Sequence, residues 1–370
     1  MSDGPNDDPP AGPAPLARPA AAARVAVVGA VLAAVVATFA YLGGWLTPAA
    51  VTPAKFADAF EAVDGLHPGF RRNHAKGLCV TGHFDATGQA TRLSAAAVFR
   101  PGRVPVIGRF SFAGGQPYAA DSDAAIRGLG LQFTQPDGQL WRTGMIDLPV
   151  FPVRTPGQFY DRMLTGVPDP ATGKPDPAKL AAFNAAHPEL QKPLQLLKAY
   201  RKPSAFDNTT FHSLNAFRFT NDQGTSTPVR WLMVPVTPFA PATTGPAASD
   251  DKNFLFDGLI ARVERDPPQW HLMLIVGQPG DPTDDATTPW PADREQVDAG
   301  TLTIDHVESD ETSPTRDVNF DPLVLPAGMA ASDDPLLSAR SAVYARSFTR
   351  REGEPKSAPA VTPADVAHGG

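Results

Sequence analysis

Proline and glycine constrain this chain more than any other feature. Of its 370 residues 41 are Pro and 31 are Gly. Each proline fixes φ and removes a backbone donor, which excludes a long-helix bundle or coiled coil and favours a loop-rich β or α+β body. The chain is 42% hydrophobic, enough to bury a sizeable core, and its length suits one large domain or two ordinary ones. Thirty-nine acidic residues against 32 basic ones leave a net charge of −7, with no basic stripe. No nucleic-acid partner is expected, since duplex binding depends on neutralising phosphates. The single cysteine excludes an intramolecular disulfide, a Cys-rich zinc site and an iron–sulfur cluster.

One stretch escapes the punctuation. Residues 25–46 carry no charged side chain, and at ~1.5 Å per residue they would cross a hydrocarbon core ~30 Å thick. The apolar part of a cleaved signal peptide runs only ~7–15 residues, so an uncleaved transmembrane anchor is expected, with the lipid bilayer as a partner. Tyr41 and Trp45 suit the far interface. Arg18 and Arg24 before the span, against Lys55 after it, place the N-terminus in the cytoplasm and the body on the extracytoplasmic, periplasmic side. Residues 1–24 and 353–370 are rich in Pro and small residues and are expected to be disordered tails.

Between them, residues 53–352 read as one domain. Phe56, Phe60 and Val63 recur at helical spacing. Strands are expected at Gly77–Phe84, Leu93–Phe99, Val104–Phe112, Gly128–Thr134, Leu140–Ile146, Phe211–Thr220, Val229–Val236 and His271–Val276. The segment Gln135-Pro-Asp-Gly138 supplies a turn. Helices are expected at Gln158–Leu164, Pro177–Ala186 and Pro188–Lys198.

Common catalytic motifs are missing. Gly128-Leu-Gly130 lacks the third glycine of a dinucleotide loop, and there is no G-x-S-x-G, H-E-x-x-H or Walker sequence. Asp281, Asp284 and Asp285 sit among prolines and threonines as a solvated loop, and Cys79 falls on an apolar run as a buried thiol. Two segments stand out. The first is Arg71-Arg-Asn-His-Ala-Lys-Gly77. The second is Arg340-Ser-Ala-Val-Tyr344, whose arginine and tyrosine share one face of a helix. A guanidinium beside a phenol favours the phenolate, and a phenolate is a good ligand for ferric haem. On spacing alone, such a pair is more often a surface contact.

Together these segments resemble the haem-containing catalase superfamily. His74-Ala-Lys-Gly77 is similar to the motif carrying the distal histidine, and Arg340-x-x-x-Tyr344 to that carrying the proximal tyrosinate. Four further segments match in order: Arg109-Phe-Ser-Phe-Ala-Gly-Gly115, Arg127-Gly128 with Leu131–Phe133, Pro149-Val-Phe-Pro-Val-Arg154 with Phe159, and Phe320-Asp-Pro322 with Pro326-Ala-Gly328. The resemblance spans roughly 53–352 and looks closest to the small membrane-anchored catalase-related peroxidases. It implies an α+β fold, a catalase-like antiparallel β-barrel with flanking helices after one N-terminal transmembrane helix.

It also implies haem, of the b type, as cofactor. The expected function is a peroxidase reducing hydrogen peroxide or organic hydroperoxides with an electron donor that the sequence does not identify. His74 becomes the acid–base catalyst, oriented by Ser111; Tyr344 the axial iron ligand, paired with Arg340; Arg71, Arg109 and Arg351 propionate-binding residues; Phe159, Phe151 and Phe320 pocket walls. One departure stands out. Where the family places a distal asparagine, this chain has Ile146, followed by Asp147. Isoleucine donates no hydrogen bond to a second peroxide, so weak disproportionation is expected. Competing readings are a membrane-tethered haem-binding or sensing module without turnover, an isomerase of fatty-acid hydroperoxides, and a structural β-protein.

Overall fold

The computed structural model describes residues 18–42, 51–123, 125–242 and 251–363. Most of the expected 1–24 tail, Trp45, and residues 364–370 lie outside them. The chain divides into two compact units, Met1–Thr52 and Pro53–Gly370. In the first, helix α1 spans Arg18–Leu42, beginning inside the residues expected to be disordered. Its Ala22–Tyr41 stretch is long and apolar enough to cross a membrane or to act as a signal sequence.

Among the described residues of the second unit ten strands form one antiparallel sheet: β1 (Gly77–Ala86), β2 (Gly102–Phe112), β3 (Arg127–Thr134), β4 (Leu140–Ile146), β5 (Phe211–His212), β6 (Phe217–Thr220), β7 (Ser226–Pro235), β8 (Gln269–Val276), β9 (Gln296–Glu308) and β10 (Met329–Ala331). Eight close on themselves in the order β1-β2-β3-β4-β5-β7-β8-β9, with β9 returning to β1, while β6 and β10 extend outward from β7. Inward residues alternate along each strand, as on β3, where Leu129, Leu131 and Phe133 are buried in the core. An eight-stranded barrel is just wide enough for side chains to fill, and here aromatic rings fill it. Phe133 stacks on Trp141 at 4.6 Å, and Trp141 meets Trp231 edge-on at 5.3 Å.

Among the described residues six α-helices complete this unit: α2 (Pro53–Asp64), α3 (Pro156–Leu164), α4 (Pro177–Ala186), α5 (Gln191–Ala199), α6 (Phe254–Arg265) and α7 (Pro335–Glu352). Thr155 and Gln158 form a capping box on α3. Asp334 caps α7, where Pro335 supplies the first-turn residue that needs no donor. Helices α2, α3 and α7 pack on one another.

Several expectations need correction. Leu93–Phe99 is no strand: short 3-10 turns at Gln89–Arg92 and Ala97–Phe99 bury its apolar residues instead, since a short apolar run does not by itself distinguish a strand from other buried chain. Phe211–Thr220 breaks into β5 and β6 at Leu214, whose φ is 63°. Residues 353–363, expected to be disordered, are packed. Val361 is buried, Tyr118 and Asn253 donate to the carbonyls of Ala358 and Ala360, and Glu354 pairs with Arg72. Strand β9 and helix α6 were not anticipated.

Candidate active site

The site begins with glycines on the outer face of the barrel. Because side chains alternate, Leu129 and Met145 point inward while Gly128, Gly130 and Gly144 lie on the other face, with Gly130 directly opposite Gly144. A Cβ on Gly128 would stand 2.9 Å from the His74 ring and from Ser111 Oγ, and one on Gly130 would stand 2.7 Å from the Phe320 ring. At Gly144 it would come within 3.2 Å of Arg340 Nη2. The missing side chains leave a wall that other groups approach closely. A cavity of about 590 Å³ lies against it, and residues of α2, α3 and α7 also line it.

His74 has a left-handed backbone, φ 61°, a conformation that costs a non-glycine residue energy unless its surroundings hold it. They do. Asn73 Oδ1 accepts from His74 N at 3.0 Å and from Gly114 N at 2.6 Å, and Arg109 Nη1 donates to the His74 carbonyl at 2.8 Å. The ring shares a hydrogen bond between Nδ1 and Ser111 Oγ, 3.0 Å. Burial, followed by the positive charges of Arg109, Arg71 and Arg340, lowers the imidazole pKa to about 3. It is therefore a neutral base at physiological pH.

Arg109 departs from its expected role. Its fork is spent on the protein: Nη2 donates to Asp310 Oδ2 at 2.7 Å and to the Ala75 carbonyl at 3.0 Å, while Nε reaches Asp310 Oδ1 at 3.0 Å. It fixes the His74 loop rather than standing free for a cofactor carboxylate. Arg71 and Arg351 are the better candidates. Arg71 Nη2 donates to the carbonyls of Arg316 and Val318 at 2.8 and 2.9 Å. Burial and then the nearby Arg351 and Arg109 push its pKa well below the usual value. Arg351 reaches the Arg316 carbonyl at 2.8 Å, leaves Nη2 buried without a partner, and is lowered to about 10 by burial.

Tyr344 and Arg340 lie one turn apart on α7. Arg340 Nη2 donates to the Gly144 carbonyl at 2.7 Å and lies 3.4 Å from the Tyr344 hydroxyl, while Nη1 donates to Asn215 Oδ1 at 2.6 Å. Asn215 Nδ2 in turn donates to Asp334 Oδ2 at 2.7 Å. The residue capping α7 thus also braces the arginine beside the tyrosine. Phe151, Phe159 and Phe320 line the same cavity, and so does Ile146, but not Asp147. Asp147 is buried, accepts from Arg127 N at 3.0 Å, and is pushed up to about 6 by burial.

Every predicted site residue (His74, Ser111, Arg71, Arg109, Phe159, Arg340 and Tyr344) lines this one cavity. The sequence reading missed Asn215 and Asp310. Each acts on a partner more than a hundred positions away, so no local spacing marks them.

The barrel, the cradle and the two residue pairs define a class, and comparison identifies it. The profile of the catalase family matches residues 55–360. A catalase-related peroxidase of Synechococcus elongatus is 38% identical over 86% of this chain and 94% of its own length, and one of Mycolicibacterium paratuberculosis is 33% identical over 84% and 98%. Catalase A of Saccharomyces cerevisiae shares the fold with a TM-score of 0.71 at 20% identity, covering 78% of this chain and 62% of that one. A bacterial catalase gives 0.68 at 21%, with 78% and 58% covered. The chain thus spans about three fifths of those larger catalases. It belongs to the catalase family, and it is a peroxide-degrading enzyme of that family.

The family implies a haem, and the residues present fit one. Among the described residues, buried Arg109 and Arg351 and the half-buried Arg71 have only buried Asp310 and the half-exposed Asp317 as acids within ion-pair distance. One of their buried donors is unpaired. Such a surplus of buried positive charge calls for anionic groups, and haem carries two carboxylates. The glycine wall offers a face for a flat ring.

Proposed function

We propose that the chain is a membrane-anchored haem b peroxidase that reduces hydrogen peroxide or organic hydroperoxides with an electron donor and evolves little oxygen. The observation that carries this reading is that the His74–Ser111 pair and the Arg340–Tyr344 pair line one cavity. Bound haem would supply the redox-active iron that takes up the oxidising equivalents of the peroxide. Tyr344 would hold the iron through its phenolic oxygen, with Arg340 offsetting negative charge on that oxygen. Arg71 and Arg351 would hold the carboxylates.

His74 is neutral and so free to accept the peroxide proton. Ser111 occupies Nδ1, which leaves Nε2 to take that proton and return it to the departing oxygen, making water or an alcohol the leaving group. Ile146 presents hydrocarbon where a donor would orient a second peroxide, so the reducing equivalents come from another molecule. In this reading residues 1–24 are a cytoplasmic tail, 25–46 a single-pass anchor, and the haem domain from residue 53 is extracytoplasmic.

The test uses the full-length chain, loaded with haem. Tyr344→Phe should abolish the ferric tyrosinate spectrum. His74→Ala should cut donor oxidation by roughly 10²-fold or more, with oxygen release followed separately. A haem that binds and never turns over would favour the sensing module, and failure to bind haem would overturn the reading.

A further inference from the structure

The wall of the cavity away from the barrel has a composition of its own. Phe56 and Phe60 on α2, Phe159 on α3 and Phe151 just before it bring four rings together. Phe159 lies 6.1 Å from Phe56 in a stacked arrangement, 6.3 Å from Phe60 and 5.4 Å from Phe151. On the same face of α3, at helical spacing from Phe159, stand Arg162 and Met163, and both line the cavity.

Arg162 differs from every other arginine there. Arg71 is bonded to two carbonyls, Arg72 to Glu61 and Glu354, Arg109 to Asp310, Arg340 to Asn215 and Gly144, and Arg351 to the Arg316 carbonyl. The part-buried Arg162 guanidinium makes no hydrogen bond or ion pair among the described residues. Only partly withdrawn from water and without a protein acceptor, this guanidinium keeps its whole fork free, and a carboxylate can take it bidentately. Packed aromatic rings favour another ring, offset or edge-on.

On the footing of the peroxidase reading, we propose that this wall binds the electron donor, and that the donor is a phenol bearing a carboxylate, its ring among Phe56, Phe60 and Phe159 and its anion on Arg162. In the overall reaction the peroxide O–O bond breaks. Two donor molecules each lose the phenolic hydrogen, one proton and one electron apiece, and become phenoxyl radicals. The two peroxide oxygens leave as water and, for an organic hydroperoxide, the alcohol.

The test runs on the full-length, haem-loaded enzyme with uncharged cumene hydroperoxide and two donors, ferulic acid and its methyl ester. The wild type should prefer the acid in kcat/KM. Arg162→Gln should lower the acid-to-ester ratio roughly tenfold or more, the worth of one charge-assisted pair, and Arg162→Lys should recover part of it. Binding of 4-methoxycinnamate, which has no phenolic hydrogen to give, read by titration calorimetry, should weaken by a similar factor in Arg162→Gln. Equal use of acid and ester by the wild type, or a ratio that survives Arg162→Gln, overturns the donor site alone. Loss of all peroxide turnover with intact calorimetric binding overturns the peroxidase reading and leaves the anion site standing.

Discussion

At Ile146 a hydrocarbon side chain lines the cavity, on the strand paired with Gly128, where an added Cβ would stand 2.9 Å from the His74 ring. Restoring a donor there should change the product ratio. Ile146→Asn is expected to raise oxygen release from hydrogen peroxide by about tenfold or more, within the range of a single well-placed donor, read on an oxygen electrode beside a donor-oxidation assay. His212 on β5, paired with Ile146 of β4, makes a different prediction. Burial lowers its pKa to about 4, so the unfolded chain takes up a proton that the folded one refuses. The contribution is intact above about pH 6.5 and is lost as pH falls toward 4. On going from pH 7 to 5, His212→Asn should lose less stability than the wild type, by on the order of 2 kcal/mol, as comparison of denaturant melts at the two pH values would show.

Among the elements, α7 carries the most consequence, because one carboxylate does two jobs at its start. Asp334 accepts from Leu336 N at 2.9 Å and from Asn215, which holds Arg340. Asp334→Ala should cost about 2 kcal/mol, from the lost cap and the orphaned amide, and should broaden the haem spectrum as Arg340 loosens. Denaturant titration and absorption spectroscopy would check both. The element scale also shows what was readable in advance. His74, Ser111, Arg340 and Tyr344 were legible because each sits in a short motif of contiguous residues. Asn215 and Asp310 were not, since their partners arrive only when the barrel closes. In α6, Leu255, Phe256, Leu259, Ile260 and Val263 are buried on one face, a period that was present in the sequence and went unread. In β9 a thirteen-residue strand bends past β1 with a register shift at Thr81/Gly82, and such a shift interrupts simple alternation. Leu93–Phe99 misled for the opposite reason, being apolar enough for a strand but bent into turns beneath the barrel.

Across the whole molecule, the segment after α7 is a strap. Glu354 receives Arg72 and Gly69 N, and Val361 is buried against the core. A chain ending at Glu352 should lose about 3 kcal/mol, chiefly from the uncovered apolar surface, visible as a lower denaturation midpoint. If the apolar helix is the anchor proposed above, full-length protein should remain with carbonate-washed membranes, and recovery in the soluble fraction would overturn that reading. The pairing of Cys79 with Asp310 bears on how such an enzyme survives its own substrate. The thiol is buried, donates to Asp310 at 3.0 Å, and is held well above its ordinary pKa by burial and by that carboxylate. Peroxides attack the thiolate rather than the thiol. The single sulfhydryl of the chain is thereby passivated, and each turnover spares the catalyst the self-inflicted corrosion that an exposed cysteine would invite.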